Sequence, residues 1–298
     1  MQPSFDTKPP RGARWAQLVS ALVRFRSLPR AERLFAGTAP GTWLSRPYLG
    51  SRLWLDVGRS STERLLYLEG PRLSPELGLL SSLLSPGMRV IDVGANIGYY
   101  TLVLAAAVGP SGSVDSIEPV PENQRALERN VQANGLSQVR IHRLAIGAEN
   151  GTVRLQSGFN GFVDRDGSLE VPLHRLDDLF PEGANLVKID IEGYEGQALE
   201  GAGRLLSRWR PALFLELHPQ LVKPPYRIPR LLTELEQLYG EVEVWRPRPA
   251  ISLLSKVLGR YGWHRLQRVR LGDPFFADLE ANRLSDPFWA VCRPSKPG

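Results

Sequence analysis

A doubly wound, mostly parallel α/β sheet is what this sequence predicts from Leu83 onward, and three observations carry the expectation. Short, nearly continuous apolar runs alternate with longer amphipathic ones, as they do where helices cover both faces of a parallel sheet. The first run, Val90-Ile91-Asp92-Val93, empties into a turn of small residues that opens a helix. An acidic residue, Glu118, closes the second. A sheet wound this way offers its ligand site at the carboxyl ends of its strands.

Taken in order, the strands fall at Arg89–Val93, Ser113–Ile117, Val139–Leu144, Leu186–Ile191 and Pro211–Leu217. Helices fit between most of them, at Tyr99–Val108, Pro121–Ala133 and Glu195–Leu206. Gly151–Gln156 and Ser168–Leu173 read as extra strands, divided by the Gly158–Gly167 loop. That loop is placed either to move and touch substrate or to be a passive surface excursion.

Upstream, residues 1 to 12 form a polar tail with a proline pair. Arg14 to Phe35 has the spacing of a basic amphipathic helix, which could lie on an anionic membrane or, as we prefer, pack on the main domain. Leu53–Val57 and Arg64–Leu68 read as a strand pair joined by the Gly58–Thr62 loop. Leu77–Leu84 is a short helix that ends at the Pro86-Gly87 turn. The far end, Leu253 to Leu271, is again basic and partly amphipathic.

Composition narrows the classes. The 298 residues are 42% apolar, ordinary for a globular chain and too many for wholesale disorder. A net charge of +6 permits contact with an anionic partner without choosing among nucleic acid, lipid and acidic glycan. Cys292 is the only cysteine, so an intrachain disulfide and a cysteine-based zinc site are excluded. His142, His174, His218 and His264 lack metal-ligand spacing, and no metal is expected. The apolar stretch Trp15–Val23 is short for a signal peptide. The charge-free stretch Ala95–Val114 is interrupted by Asn96, Gly98, Gly109 and Pro110, too often for a membrane span. A soluble, cytoplasmic protein is the expectation.

The sharpest local signal is the turn after Val93. Glycines at 94 and 98 allow close backbone approach to a ligand, and the helix start offers free N–H groups to an anion. A dinucleotide fingerprint needs glycines at the first, third and sixth positions. Counted from Gly94, the third and sixth are Asn96 and Tyr99, so that fingerprint is not met. Glu118 stands where a carboxylate accepts from ribose hydroxyls, a feature shared by NAD and S-adenosylmethionine sites. Combined with the Gly-x-Asn-x-Gly turn, it favours the methyl donor, whose carboxylate is smaller than a pyrophosphate.

Four segments in succession resemble the motifs of the FkbM family of methyltransferases. They are Asp92–Thr101, Glu118-Pro119-Val120-Pro121-Glu122-Asn123, Lys188-Ile189-Asp190-Ile191-Glu192-Gly193 and Leu215-Glu216-Leu217-His218-Pro219. The resemblance implies a Rossmann-like class I methyltransferase fold over 83–246. An extension of 1–82 would precede it, and a basic one of 247–298 would follow. It implies S-adenosylmethionine as cofactor, with Gly94, Ala95, Asn96 and Gly98 around the methionine part and Glu118 and Pro119 at the ribose. Leu144 and Ala145 would border the adenine. Asp92 would order the loop or meet the ligand's amino group, with plain structural capping as its alternative.

Methyl transfer asks the protein mainly for positioning and for a base. Asp190 and Glu192 end the fourth strand, where alternation points both side chains the same way. Such a pair raises one of the two pKa values. His218, closing the fifth strand, titrates near neutrality. The order of preference for the base is Glu192, Asp190, His218. Each has a structural alternative: amino-group binding for Asp190, helix capping for Glu192 and a backbone hydrogen bond for His218. A metal on Asp190 and Glu192 lacks an evident third ligand.

The resemblance therefore implies O-methylation of a hydroxyl on a sugar, glycan or secondary metabolite, with N-methylation open. The alternatives are a non-catalytic assembly partner with the same fold and, behind it, an NAD-dependent oxidoreductase. A nucleic-acid partner is not expected, since no Asn-Pro-Pro-Tyr-like motif follows the fourth strand. The basic ends leave open a peripheral membrane contact, and the oligomeric state is undetermined.

Overall fold

Alternation along each strand sorts the core of this protein onto two faces of one sheet. The computed structural model describes residues 35, 37–70, 75–156, 163, 166–249, 264–270 and 272–294. Among these, the strands are β1 (Trp43–Tyr48), β2 (Ser51–Asp56), β3 (Arg89–Val93), β4 (Ser113–Ile117), β5 (Val139–His142), β6 (Ala145–Ile146) and β7 (Gly151–Leu155). They continue as β8 (Leu169–His174), β9 (Leu186–Ile189), β10 (Ala212–Leu217), β11 (Glu243–Pro249), β12 (His264–Arg268) and β13 (Phe288–Cys292). The helices are α1 (Ser61–Glu69), α2 (Leu77–Ser81), α3 (Tyr99–Val108), α4 (Pro121–Ala133) and α5 (Leu176–Leu179). After them come α6 (Glu195–Glu200), α7 (Gly203–Trp209), α8 (Ile228–Tyr239) and α9 (Pro274–Glu280).

The main sheet runs β12-β11-β13-β10-β9-β3-β4-β5. Its β10, β9, β3, β4 and β5 are mutually parallel, whereas β13 pairs antiparallel with both β10 and β11. Val187 and Ile189 of β9 join a cluster with Ala198, Leu205 and Leu232 on one face, while Leu186 meets Leu104 and Val108 on the other. This two-sided covering gives the doubly wound α/β architecture. The chain winds outward from β3 to β5 and then returns to place β9 on the opposite side of β3. The crevice outside the carboxyl ends of β3 and β9 is thus a topological switch point.

Three sequence expectations change. Arg64–Leu68 is helical, within α1, and the partner of β2 is β1. The reason is a cap: the Ser60 hydroxyl accepts the Glu63 N–H at 3.1 Å, and the Ser-x-x-Glu pattern carried that signal. The single helix expected over Glu195–Leu206 is broken into α6 and α7. The Asp177 carboxylate, from α5, accepts the N–H groups of Arg204 and Leu205 at 3.0 and 2.8 Å and starts a new helix there. The boundary expected at Arg246 falls inside β11, and β13 beyond it inserts between β10 and β11. β6, β7 and β8 form a separate three-stranded sheet, which contains the two extra strands.

The β1–β2 hairpin is fastened to α4 by two asparagines one helical turn apart. Asn130 accepts the Trp54 N–H at 2.7 Å and donates to the Trp54 and Ile97 carbonyls. Asn134 treats Arg52 the same way, at 2.8 Å in both directions. Apolar contact completes the joint, with Leu53 and Leu55 buried against Ile97, Leu102 and Ala126. Residues 14–34 of the expected basic helix, most of the 158–167 loop, and residues 253–263 lie outside the described residues.

Candidate active site

The site starts from the turn between β3 and α3. Gly94 and Ala95 both donate their N–H groups to the Ile117 carbonyl, at 3.0 and 2.9 Å, which ties the turn to the end of β4. Gly94 has φ +77° and Asn96 φ +50°, so the backbone coils through the left-handed region. The turned-in Asn96 N–H donates to Glu118 Oε2 at 2.8 Å. Glu118 Oε1 accepts from the Val120 N–H at 2.9 Å and from Asn123 Nδ2 at 3.2 Å. Burial raises the Glu118 pKa to about 7, although those hydrogen bonds and the Lys188 charge pull the other way.

Beneath the turn lies a buried ion pair. Lys188 Nζ stands 3.1 Å from Asp92 Oδ1 and 3.7 Å from Asp190 Oδ2, and it donates to the Gly94 carbonyl at 3.0 Å. Asp92 is fully buried and accepts the Thr101 hydroxyl at 2.7 Å. Lys188 thus links the turn after β3 with the acidic end of β9.

A cleft at the switch point is lined by Gly94, Asn96, Glu118, Pro119, Leu144 and Ala145 on one side and by Asp190 and Glu192 on another. The sequence singled out all eight. Asp92, Ala95, Gly98 and His218 are not in that lining. Asp92 serves the ion pair, Ala95 packs against Leu127, and Gly98 caps α3. Asn123, Val163 and Tyr194 also line the cleft. Asn123 closes the motif that begins at Glu118, and its i+5 spacing from Glu118 across a helix start was the available signal.

Asp190 and Glu192 converge by a turn rather than by strand alternation, because β9 ends at Ile189 and Glu192 has φ +52°. Both face His218 Nε2, at 3.9 and 3.6 Å. Glu216 Oε1 faces the same nitrogen at 3.9 Å. Glu216 lies inside the fourth motif, where sequence reading assigned it no role, although it stands two residues before His218 and so shares its side of β10. Sequence reading also passed over Glu195, which is fully buried and binds His218 Nδ1 at 2.9 Å. The triad that forms in space leaves Glu192 out: among the described residues, Asp190, Glu216 and His218 bring one ligand atom each within 4.8 Å of the others.

The charges order the candidates for a base. Burial disfavours the His218 cation, but the Glu195 hydrogen bond and the Asp190, Glu195 and Glu192 carboxylates outweigh it and raise the pKa to about 9. The ring is an imidazolium at neutral pH and a poor proton acceptor. Burial, with Asp190 and Glu195 beside it, raises the Glu192 pKa against the opposing pull of His218. A carboxylate with raised proton affinity at the rim of a cleft can take a proton.

Comparison with known proteins places residues 92–240, half of the chain, in agreement with the model of the methyltransferase FkbM domain. Protein-L-isoaspartate O-methyltransferase 1 of Arabidopsis thaliana is 31% identical over 120 residues, covering 38% of this chain and 50% of that protein. The tRNA (adenine(58)-N(1))-methyltransferase TrmI of Thermus thermophilus is 38% identical over 113 residues, covering 36% and 42%. The chain spans about half the length of the curated relatives it matches. Among solved structures, methyltransferase FkbM from Methylobacillus flagellatus KT aligns with a TM-score of 0.42 at 21% identity, over 63% of this chain and 49% of that one.

Proposed function

Because the chain belongs to the FkbM methyltransferase family, we propose that it uses S-adenosylmethionine to methylate a hydroxyl of a sugar, glycan or secondary metabolite. The observation that carries this reading is the pairing, across one cleft, of the Glu118 carboxylate with the acidic end of β9. A donor with a ribose diol fits the residues present. Glu118 would accept from the diol, with Pro119 beside it. Gly94 and Asn96 would border the methionine part, and Leu144 and Ala145 the adenine. Asp92, Ala95 and Gly98 would act from beneath, by fixing the turn.

When bound, S-adenosylmethionine supplies a methyl group that its sulfonium already activates. What remains for the chain is to hold the acceptor in line and take its proton. Glu192 is the proton acceptor in this reading, since it lines the cleft and its proton affinity is raised. Asp190, held by Lys188, and His218, as an imidazolium, serve position and charge. The partner is a hydroxylated small molecule or glycan, not nucleic acid, and the location is cytoplasmic. No helix of the described residues is long and apolar enough to cross a membrane.

A calorimetric titration with S-adenosylmethionine tests the reading, with Glu118→Ala and NAD as controls. Saturable binding that weakens at least tenfold in Glu118→Ala supports it. Binding of NAD without binding of the methyl donor would replace it with the oxidoreductase alternative. Transfer of labelled methyl groups into a panel of hydroxylated sugars then addresses the acceptor.

A further inference from the structure

We propose that Asp190, Glu216 and His218 hold one divalent metal ion of the Mn2+ type at the acidic end of the cleft. The three come from two adjacent strand ends, β9 and β10, and their ligand atoms lie within 4.8 Å of one another. The His218 Nε2 distances to Asp190 Oδ1 and Glu216 Oε1 are both 3.9 Å. Neither is a hydrogen bond. Ligands about 2.1 Å from one octahedral ion stand roughly 3 to 4.2 Å apart, so this spacing suits a shared ion.

Each ligand is also held from behind. Glu195 Oε1 engages His218 Nδ1 at 2.9 Å, which leaves Nε2 facing the centre. Trp289 Nε1 donates to Glu216 Oε2 at 3.2 Å, which leaves Oε1 facing it. Lys188 approaches Asp190 Oδ2 at 3.7 Å, which leaves Oδ1 facing it. Outer partners that orient a histidine and its companion carboxylates are the signature of a metal site. A separate observation also points to a cation. Glu195 lies fully buried against the imidazole, and its Oε2 has no hydrogen-bond partner. A buried carboxylate behind the ring favours a His218 that carries positive charge or is bound to it, and a metal ion at Nε2 meets that need as a proton does.

Two carboxylates and one imidazole, with no thiolate, suit Mn2+ and metals of similar preference. The ion would take the place of the imidazolium proton among these carboxylates. Three protein ligands leave coordination positions open, and Asp190 and Glu192 border the cleft. On the methyltransferase reading, the ion would hold the acceptor oxygen and weaken its O–H bond, and the proton would pass to Glu192. The oxygen lone pair would then form the C–O bond as the C–S bond breaks, with that electron pair left on sulfur.

The test uses the full chain, stripped with EDTA and titrated with Mn2+ alone. One Mn2+ per chain is expected, with affinity reduced at least tenfold in Glu216→Gln and in His218→Ala. Pulsed electron paramagnetic resonance of the unsubstituted protein should show a coordinated imidazole nitrogen, a readout that needs no variant to fold. Absence of saturable Mn2+ uptake, or of the nitrogen coupling, would overturn the proposal. So would unchanged affinity in Glu216→Gln. S-adenosylmethionine titrated into the same samples separates the two readings. Donor binding without Mn2+ binding rejects the metal site alone, and Mn2+ binding without donor binding rejects the methyltransferase reading alone.

Discussion

A Cβ placed on Gly94 would stand 1.9 Å from the carbonyl oxygen of Asp190. The turn after β3 and the acidic end of β9 are therefore in backbone contact, with no room between them for any side chain. Both residues line the cleft.

Gly94→Ala tests that contact. The substitution places a side chain at φ +77°, which by itself costs about 1–3 kcal/mol, and drives it into backbone that cannot rotate away. A lower Tm together with loss of saturable S-adenosylmethionine binding is expected. Unchanged binding at full stability would show that the two loops part freely.

Glu118 sets a pH dependence. Burial raises its pKa from the ordinary 4.5 to about 7. A ribose diol donates to the ionised form, so donor affinity should rise with pH through 7 and weaken below it. The folded pKa lies above the unfolded one. The stability from this group is therefore complete below pH 4.5 and is lost as pH rises through about 7. Calorimetry at pH 5.5, 7 and 8.5, compared with Glu118→Gln, checks the profile, which should flatten in the variant.

Lys188→Met removes the cation from a buried pair and leaves Asp92 without its partner at 3.1 Å. Breaking such a pair costs about 3–5 kcal/mol. Denaturant unfolding should show a loss of that size. The double variant Asp92→Asn with Lys188→Met, which removes both charges, should recover part of it.

Asn130→Ala detaches the hairpin. It strands the Trp54 N–H, which the Asn130 side chain engages at 2.7 Å. The expected loss is roughly 2–3 kcal/mol, with faster hydrogen exchange at the Trp54 amide than in the parent protein. A slow, unchanged amide would mean that the Asn134–Arg52 hydrogen bonds and apolar packing hold β2 in place without Asn130.

The parallel core was legible because each strand is an apolar run and each gap a turn. Arg89–Val93 and Ser113–Ile117 are strands with those same bounds in the fold. The α1 helix was missed because Arg64–Leu68 is too short for its period to show, and the Ser60 cap decided it. The break between α6 and α7 depends on Asp177, a residue remote in sequence, and local pattern could not reveal it.

By itself, the sequence determined the strand order's raw material, the turn at Gly94, the carboxylate at Glu118 and the acidic end at Asp190 and Glu192. These are local facts, written in spacing and residue type. Only the tertiary structure decided what those residues do to one another. Sheet pairing set β9 beside β3, which brought Lys188 against Asp92 and pressed Asp190 against Gly94. The pairing of β10 with β9 and β13 gathered Glu216, His218 and Trp289 around the same centre. The Lys188–Gly94 and Trp289–Glu216 contacts join residues 94 and 73 positions apart. Their distances are fixed by strand register and burial, which a linear pattern does not encode.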